Sequence, residues 1–345
     1  MINMKKVFCF GELLLRMSPV LGQQWLKTNV LPVFVGGAEL NVAQALAGWQ
    51  VPVQYCTALP QNYLSQEICD LISEKHVDMS RVHFSGERIG TYYLPQGADL
   101  KNAGVIYDRA YSSFASLKPG MINWDETLKD ANWFHFSAIS PALNTDAVAV
   151  LEEALQAATR LGLTISVDLN YRAKLWQYGK KPVEVMPALA KYCHVIMGNI
   201  WAAANLLGMP LNETLVAADN STEYLQHAVE TSNAIMQHFP TCHTVANTFR
   251  FDKEGGGILY YAALQTGGRQ YVSPTFTIDK IVDKVGSGDC FMGGLIYSMY
   301  NSHQPQDIIN YAAAAAFGKL QEVGDATRQD VAAVQSTIQR YEQKR

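Results

Sequence analysis

Apolar runs that are nearly unbroken and separated by helical stretches, from Trp133 to Thr248, constrain this chain more than any other feature. Trp133–Ala138, Leu163–Asn170, His194–Asn199 and Thr244–Thr248 read as strands with little or no polar face. Asn144–Leu161 sets Val148, Leu151, Leu155 and Ala158 on one helical face before Gly162 closes it. Ala188–Tyr192, Ala202–Leu207 and Glu223–His238 are also helical. A strand that is apolar on both sides must be covered on both sides, which predicts a mostly parallel sheet between helical layers. Polar residues collect where these strands end, at Asp168, Asn170, Asn199, Asn247 and Thr248. Ligands of open α/β sheets bind at those carboxyl ends.

The amino-terminal third differs. Val7–Phe10 is a first core strand ending at Gly11-Glu12, Val51–Leu59 another strand, and Glu67–His76 a helix. Leu13–Val35, with Pro19 and Pro32, reads as short strands outside the main sheet. Between Ile89 and Phe114 the pattern turns to alternating aromatic strands, Thr91–Leu94 and Val105–Arg109. Tyr107 and Arg109 are two apart and share one face of such a strand. An inward Arg beside a Tyr suits a carboxylate-bearing ligand, and a solvated Arg on an edge strand fits the same pattern.

Composition narrows the partners. With 345 residues, 48% hydrophobic and 17% charged, the chain is globular, and its 27 basic and 31 acidic residues leave a net charge of −4 with no basic block. Nucleic acid and acidic membrane surfaces are therefore not expected partners. The six cysteines (9, 56, 69, 193, 242 and 290) form no CxxC pair and read as buried thiols of a reducing compartment, so a cytoplasmic location is expected. No GxxxxGK[ST] and no GxGxxG after a strand are present.

Two glycine turns open helices. Gly286-Ser287-Gly288 runs into Cys290–Tyr300, where Phe291, Leu295 and Met299 recur at helical spacing. Such a turn aims free N–H groups and the positive dipole end at one spot, which favours phosphate. Asp289 beside that cradle would repel phosphate, but it suits a base that takes a proton from an attacking hydroxyl. An ordinary N-cap Asp after a glycine turn has the same spacing, and both readings stay open on it. Gly36-Gly37 leads into Val42–Gly48, with Asn41 one turn in. Taken alone, that turn reads as close packing and Asn41 as a surface residue. Two short β segments, Gly257–Ala263 and Arg269–Phe276, precede the Gly286 turn; an alanine-rich helix, Ile308–Lys319, suits close packing or room for adenine.

Asp283-Lys284-Val285-Gly286-Ser287-Gly288-Asp289 with Phe291 and Gly294 resembles the carboxyl-terminal signature of ribokinase-like (PfkB) sugar kinases, D-T-x-G-A-G-D-x-F-x-x-G. Gly36-Gly37 with Asn41 and Ala43 resembles the amino-terminal one, and the likeness spans nearly the whole chain. Within the family, Gly90–Tyr93, Ile106–Arg109, Asp168–Arg172 and Thr248–Arg250 are most similar to 2-keto-3-deoxygluconate kinases. The resemblance implies one α/β domain over residues 1–345: a three-layer sandwich with a mostly parallel sheet and a small β lid from about 13–35 and 86–114. It implies ATP and Mg2+ as cofactors, and phosphorylation of 2-keto-3-deoxygluconate at its 6-hydroxyl. Asp289 would be the base, and the amides of Gly286, Ser287 and Gly288 the anion hole. Gly36, Gly37, Asn41, Tyr92, Tyr107, Arg109, Asp168, Asn170 and Arg172 would line the sugar site, and Asn199, Thr248 and Arg250 the nucleotide site. The lid is a common dimer contact in the family, so a homodimer or higher homo-oligomer is expected.

Three departures stand out. Lys284 replaces a Thr that helps hold a monovalent cation, and a fixed ammonium there speaks against potassium activation. The family's Asn-x-x-Glu is Asn199-Ile200-Trp201-Ala202, without the glutamate, so how metal is held is not assigned. Ser287 for Ala is mild in a loop that works through its backbone. Rival readings are a fructokinase or another PfkB sugar kinase, a non-catalytic sugar-acid sensor and, third, a dehydrogenase.

Overall fold

The structure, a computed structural model, describes residues 5–19, 27, 29–95, 104–212, 221–253 and 257–342. Parts of both segments read as a lid therefore lie outside the described residues.

The chain opens with β1 (Lys6–Phe10), β2 (Leu14–Met17), β3 (Val33–Gly36) and α1 (Ala38–Gly48). Next come β4 (Val53–Cys56), β5 (Ala58–Leu59), α2 (Tyr63–Ser73), β6 (His83–Phe84), β7 (Gly90–Tyr93) and β8 (Ile106–Asp108). The central alternation is α3 (Trp124–Thr127), β9 (Ala131–Ser137), α4 (Thr145–Arg160), β10 (Thr164–Asp168), α5 (Pro182–Ala190), β11 (Val195–Gly198), α6 (Ile200–Leu207) and α7 (Ser221–His238). It closes with β12 (Thr244–Asp252), β13 (Ile258–Thr266), β14 (Arg269–Val272), β15 (Phe276–Ile278), α8 (Ser287–Tyr300), α9 (Pro305–Lys319) and α10 (Val331–Glu342).

Nine strands form the main sheet, in the order β14-β13-β12-β11-β10-β9-β1-β4, with β15 also paired to β13. From β12 to β4 every neighbour is parallel. Strand β1 shows why its sequence is apolar from Val7 onward. Val7 and Cys9 pack with α1, α8 and α9, while Phe8 and Phe10 pack on the other face with residues of α4 and α5. Both faces are buried from Val7 to Phe10, which leaves no place for a polar side chain there; Lys6, at the strand's half-exposed start, pairs with Asp78.

The far edge departs from the parallel expectation. Strand β12 does not stop at Thr248 but runs to Asp252, antiparallel to β13. Phe249 stacks on Tyr261 at 5.0 Å, and this aromatic pairing carries the strand beyond the sheet's edge. Helix α5 begins earlier than its periodicity indicates. Pro182 suits the first helical position, and the Glu184 side chain accepts the Lys181 N–H at 2.6 Å.

A separate four-stranded sheet, β3-β2-β7-β8, draws its strands from the two segments read as a lid. Helices α8 and α9 pack very closely. A Cβ on Gly294 would stand 2.8 Å from the Ala312 Cα, and Ala312 to Ala316 are wholly buried. The alanine-rich helix is thus used for close packing. Among the described residues no helix is long and apolar enough to cross a membrane.

Candidate active site

The site begins at the amino end of α8. Gly286 caps it with φ +77°, a left-handed conformation that a glycine adopts without penalty. It also has no room for a side chain, because a Cβ there would lie 1.8 Å from the Asp325 carbonyl oxygen. The turn is braced from within, the Asp283 carboxylate accepting the Val285 N–H at 3.0 Å. Ser287 donates its hydroxyl to the Ala316 carbonyl at 3.1 Å, so its side chain is anchored on α9. A Cβ on Gly288 would meet no protein atom within 4 Å, so glycine there is not required by packing.

Asp289 follows on the first turn of α8, almost fully buried. Burial pushes its carboxyl up to about 8; Asp168 and Glu39 add to that, while the Asn41 amide and the Arg172 charge oppose it. Asn41 donates from its amide to Asp289 at 2.7 Å. Its own Oδ1 is buried and has no partner. The reading of Asn41 as a surface residue is therefore corrected. Helix α1 starts directly at Ala38, which turns Asn41 inward toward α8. Gly37 permits this start with φ +140°, where a Cβ would collide with the Glu12 carbonyl oxygen at 2.4 Å.

One cavity of about 600 Å³ joins these groups. Asn41, Gly286, Ser287, Gly288 and Asp289 line it, as do Gly37, Tyr92, Tyr107, Arg109, Asp168, Asn170 and Arg172. Asn199, Thr248 and Arg250 line it too. Gly36 does not. It lies just behind, where a Cβ would strike the Asp325 carboxylate at 2.3 Å.

Strand ends supply the polar groups, as parallel sheets do. Asp168 closes β10 and accepts the Asn170 N–H at 2.9 Å, turning the chain toward Arg172. Arg172 bonds its neighbour's carbonyl, Tyr171 O, at 3.0 Å. Asn199 caps α6 by accepting the Ala202 N–H at 2.8 Å, so its carbonyl oxygen is engaged by the helix.

One expectation about a cation needs revision. Arg109 lies one residue past β8 and is buried, so the solvated edge-strand reading fails. Nor is it an uncommitted clamp, because its guanidinium already grips Glu12, whose other oxygen accepts the Ser112 hydroxyl. Lys284 reaches Asp252 at 3.1 Å at the end of β12 and lines the cavity. The cations buried beside Asp283 are instead Arg16 and Lys319.

Sequence reasoning passed over Glu12, Arg16 and Asp325. Glu12 had a signal, being the first polar residue after a core strand. Asp325 had none, standing in a short loop with no motif around it. Its carboxylate accepts the Tyr92 hydroxyl at 3.2 Å.

Among known proteins, the description "pfkB family carbohydrate kinase" matches residues 4–331 of this chain. The chain belongs to the pfkB family of carbohydrate kinases. As a pfkB kinase it is an ATP-dependent sugar kinase with a ribokinase-like fold. It is similar to the 2-dehydro-3-deoxygluconokinase of Thermotoga maritima, whose crystal structure superposes with a TM-score of 0.87 at 31% identity, covering 97% of this chain and 98% of that one. It is 28% identical to the 2-dehydro-3-deoxygalactonokinase of Haloferax volcanii, over 92% of this chain and 91% of that protein. Identity to the 2-dehydro-3-deoxygluconokinase of Bacillus subtilis is 23%, over 90% of this chain and 89% of that protein.

Proposed function

We propose that this pfkB kinase transfers the γ-phosphoryl group of ATP to the 6-hydroxyl of 2-keto-3-deoxygluconate, also called 2-dehydro-3-deoxygluconate. The observation that carries this reading is the shared cavity, in which Asp289 and the Gly286–Gly288 turn stand with Arg172 and with Arg109, which is paired to Glu12 behind it. Asp289 accepts the hydroxyl proton as the oxygen bonds to phosphorus and ADP departs. The first amides of α8 hold the equatorial oxygens, a preorganised electrostatic role. Arg172 binds the carboxylate and, with Tyr92 and Tyr107, fixes the far end of the sugar acid. The unpartnered Oδ1 of Asn41 receives a sugar hydroxyl. Asn199, Thr248 and Arg250 face the nucleotide side of the cavity. The names of the Thermotoga and Bacillus relatives support the acid over a neutral ketose.

Mg2+ accompanies the nucleotide. Among the described residues no group of three or more His, Cys, Asp or Glu is placed to hold a metal. Carried on the nucleotide's phosphate oxygens and water, the ion would neutralise charge on the transferring group.

ADP release measured with the keto-deoxy acid, its galacto epimer, gluconate and fructose tests the assignment. Turnover should be highest with the two keto-deoxy acids; preference for fructose would overturn it. Arg172→Ala should raise the KM for the acid by about 10- to 100-fold, as loss of a charge-assisted hydrogen bond does, and leave the KM for ATP within about threefold. Equal loss for both ligands would remove Arg172 from the acid's site.

We place the kinase in the cytoplasm, in keeping with its six buried free cysteines. The small sheet would serve as a lid that excludes water, and as the contact of a homodimer. On its outer side Val33 is 51% and Ile106 53% exposed. Sedimentation should find a dimer that Val33→Glu with Ile106→Glu converts to monomer; a dimer unchanged by both would place the contact elsewhere.

A further inference from the structure

Arg16 belongs to the small sheet, on β2, yet its side chain is wholly buried and reaches two acids on distant segments. It binds Asp325 at 2.7 Å and Asp283 at 3.0 Å, and lies over the Phe34 ring at 4.4 Å. Each acid touches the turn that opens α8. Asp283 starts that turn and accepts the Val285 N–H. Asp325 closes it from the other side, its carbonyl pressed against Gly286 and its carboxylate against Gly36. The same carboxylate accepts the hydroxyl of Tyr92, which lines the cavity. One guanidinium from the small sheet thus fastens together both halves of the anion-binding turn and a sugar-facing tyrosine.

Burying three charges is expensive, and well-packed apolar side chains of the same volume often stabilise as much. A trio kept here is better explained by geometry than by stability. A second cation, Lys319, is also buried beside the turn, donating to the Glu322 carbonyl at 3.1 Å and packing its Cε 3.4 Å from where a Gly286 Cβ would stand. Arg16 itself does not line the cavity, so its effect on the reaction acts through the residues it holds.

We propose that Arg16 is a positioning residue for phosphoryl transfer: it holds the Asp283–Gly286 turn against Asp325, so that the amides of α8 converge when the small sheet sits over the sugar. The sheet that closes on the substrate therefore also assembles the anion-binding turn. Displacing Arg16 loosens the turn while the acid's own contacts, led by Arg172, stay in place.

Arg16→Lys tests this, since an ammonium keeps the charge but cannot fork between two carboxylates. Its kcat should fall about 10- to 100-fold, the loss expected from misplacement of about 1 Å. Calorimetric affinity for the sugar acid without nucleotide should stay within about threefold, and the thermal midpoint close to wild type. A kcat within twofold of wild type would overturn the proposal, and so would parallel losses of kcat, acid affinity and thermal midpoint. If Arg16→Lys does not fold, Asp283→Asn gives the same reading, because it keeps an acceptor for Val285 but weakens the pull on Arg16. There too a reduced kcat with retained acid affinity supports the role, and an unchanged kcat overturns it. Phosphoryl transfer to any accepted sugar acid serves as readout, so the wild-type rate on that acid separates failure here from failure of the substrate assignment.

Discussion

Asp289→Asn is expected to lower kcat by about two to four decades, the range of a positioned proton acceptor. The asparagine fits the same space and can still meet Asn41, which donates to this position at 2.7 Å. Sugar-acid affinity should therefore survive, and near-normal turnover would exclude Asp289 as base. The pH dependence supplies a second signature. Burial holds this carboxyl up at about 8, well above an ordinary aspartate. A base works only when ionised, so kcat/KM should climb with pH about tenfold per unit and level off above about 8, because it reports the free enzyme. In the asparagine variant that limb should vanish. A limb that persisted would belong to another group.

Gly286→Ala is the second large effect. The residue sits at φ +77°, and a Cβ would approach the Asp325 carbonyl to 1.8 Å, so the turn must open. A left-handed alanine alone costs about 1–2 kcal/mol, and the clash adds to it. Turnover should drop by at least about 100-fold, because displaced amides no longer meet the transferring oxygens. Gly288→Ala is the control. Its Cβ would meet no protein atom, so the variant should melt like wild type. Equal melting points and equal rates for the two alanine variants would show that the Gly286 turn is not what binds the anion.

How much of this was legible in the sequence depended on how local each signal was. The Val7–Phe10 strand and the Asp283–Asp289 turn were readable because neighbouring residues carry the pattern: an unbroken apolar run in one case, glycine conformation in the other. Asn41 was undervalued because its partner, Asp289, lies 248 residues away, and only the packing of α1 on α8 joins them. Arg109 shows the same limit from the other side. Its place in the cavity was readable, but Glu12, 97 residues earlier, was not readable as its counter-ion. Helix α10 escaped notice although Val331, Val334, Ile338 and Tyr341 recur at helical spacing and pack on the core, because only Val334 is fully buried and polar residues fill the positions between. Strand β12 was cut short because its last residues look polar, although Phe249 and Phe251 alternate with them across from β13.

The tight seam between α8 and α9 has a consequence for anyone reshaping this kinase. Asp289 rides on a rod whose rear surface has no slack: Gly294 touches the backbone at Ala312, and the Ser287 hydroxyl is moored to Ala316. Bulk introduced at that rear surface would tilt the rod and swing the carboxylate away, without any change near the sugar. Engineering toward new acceptors therefore belongs at cavity residues off that rod, such as Val105, Tyr107 and Asn170–Lys174, where side chains can vary while the rod stays still.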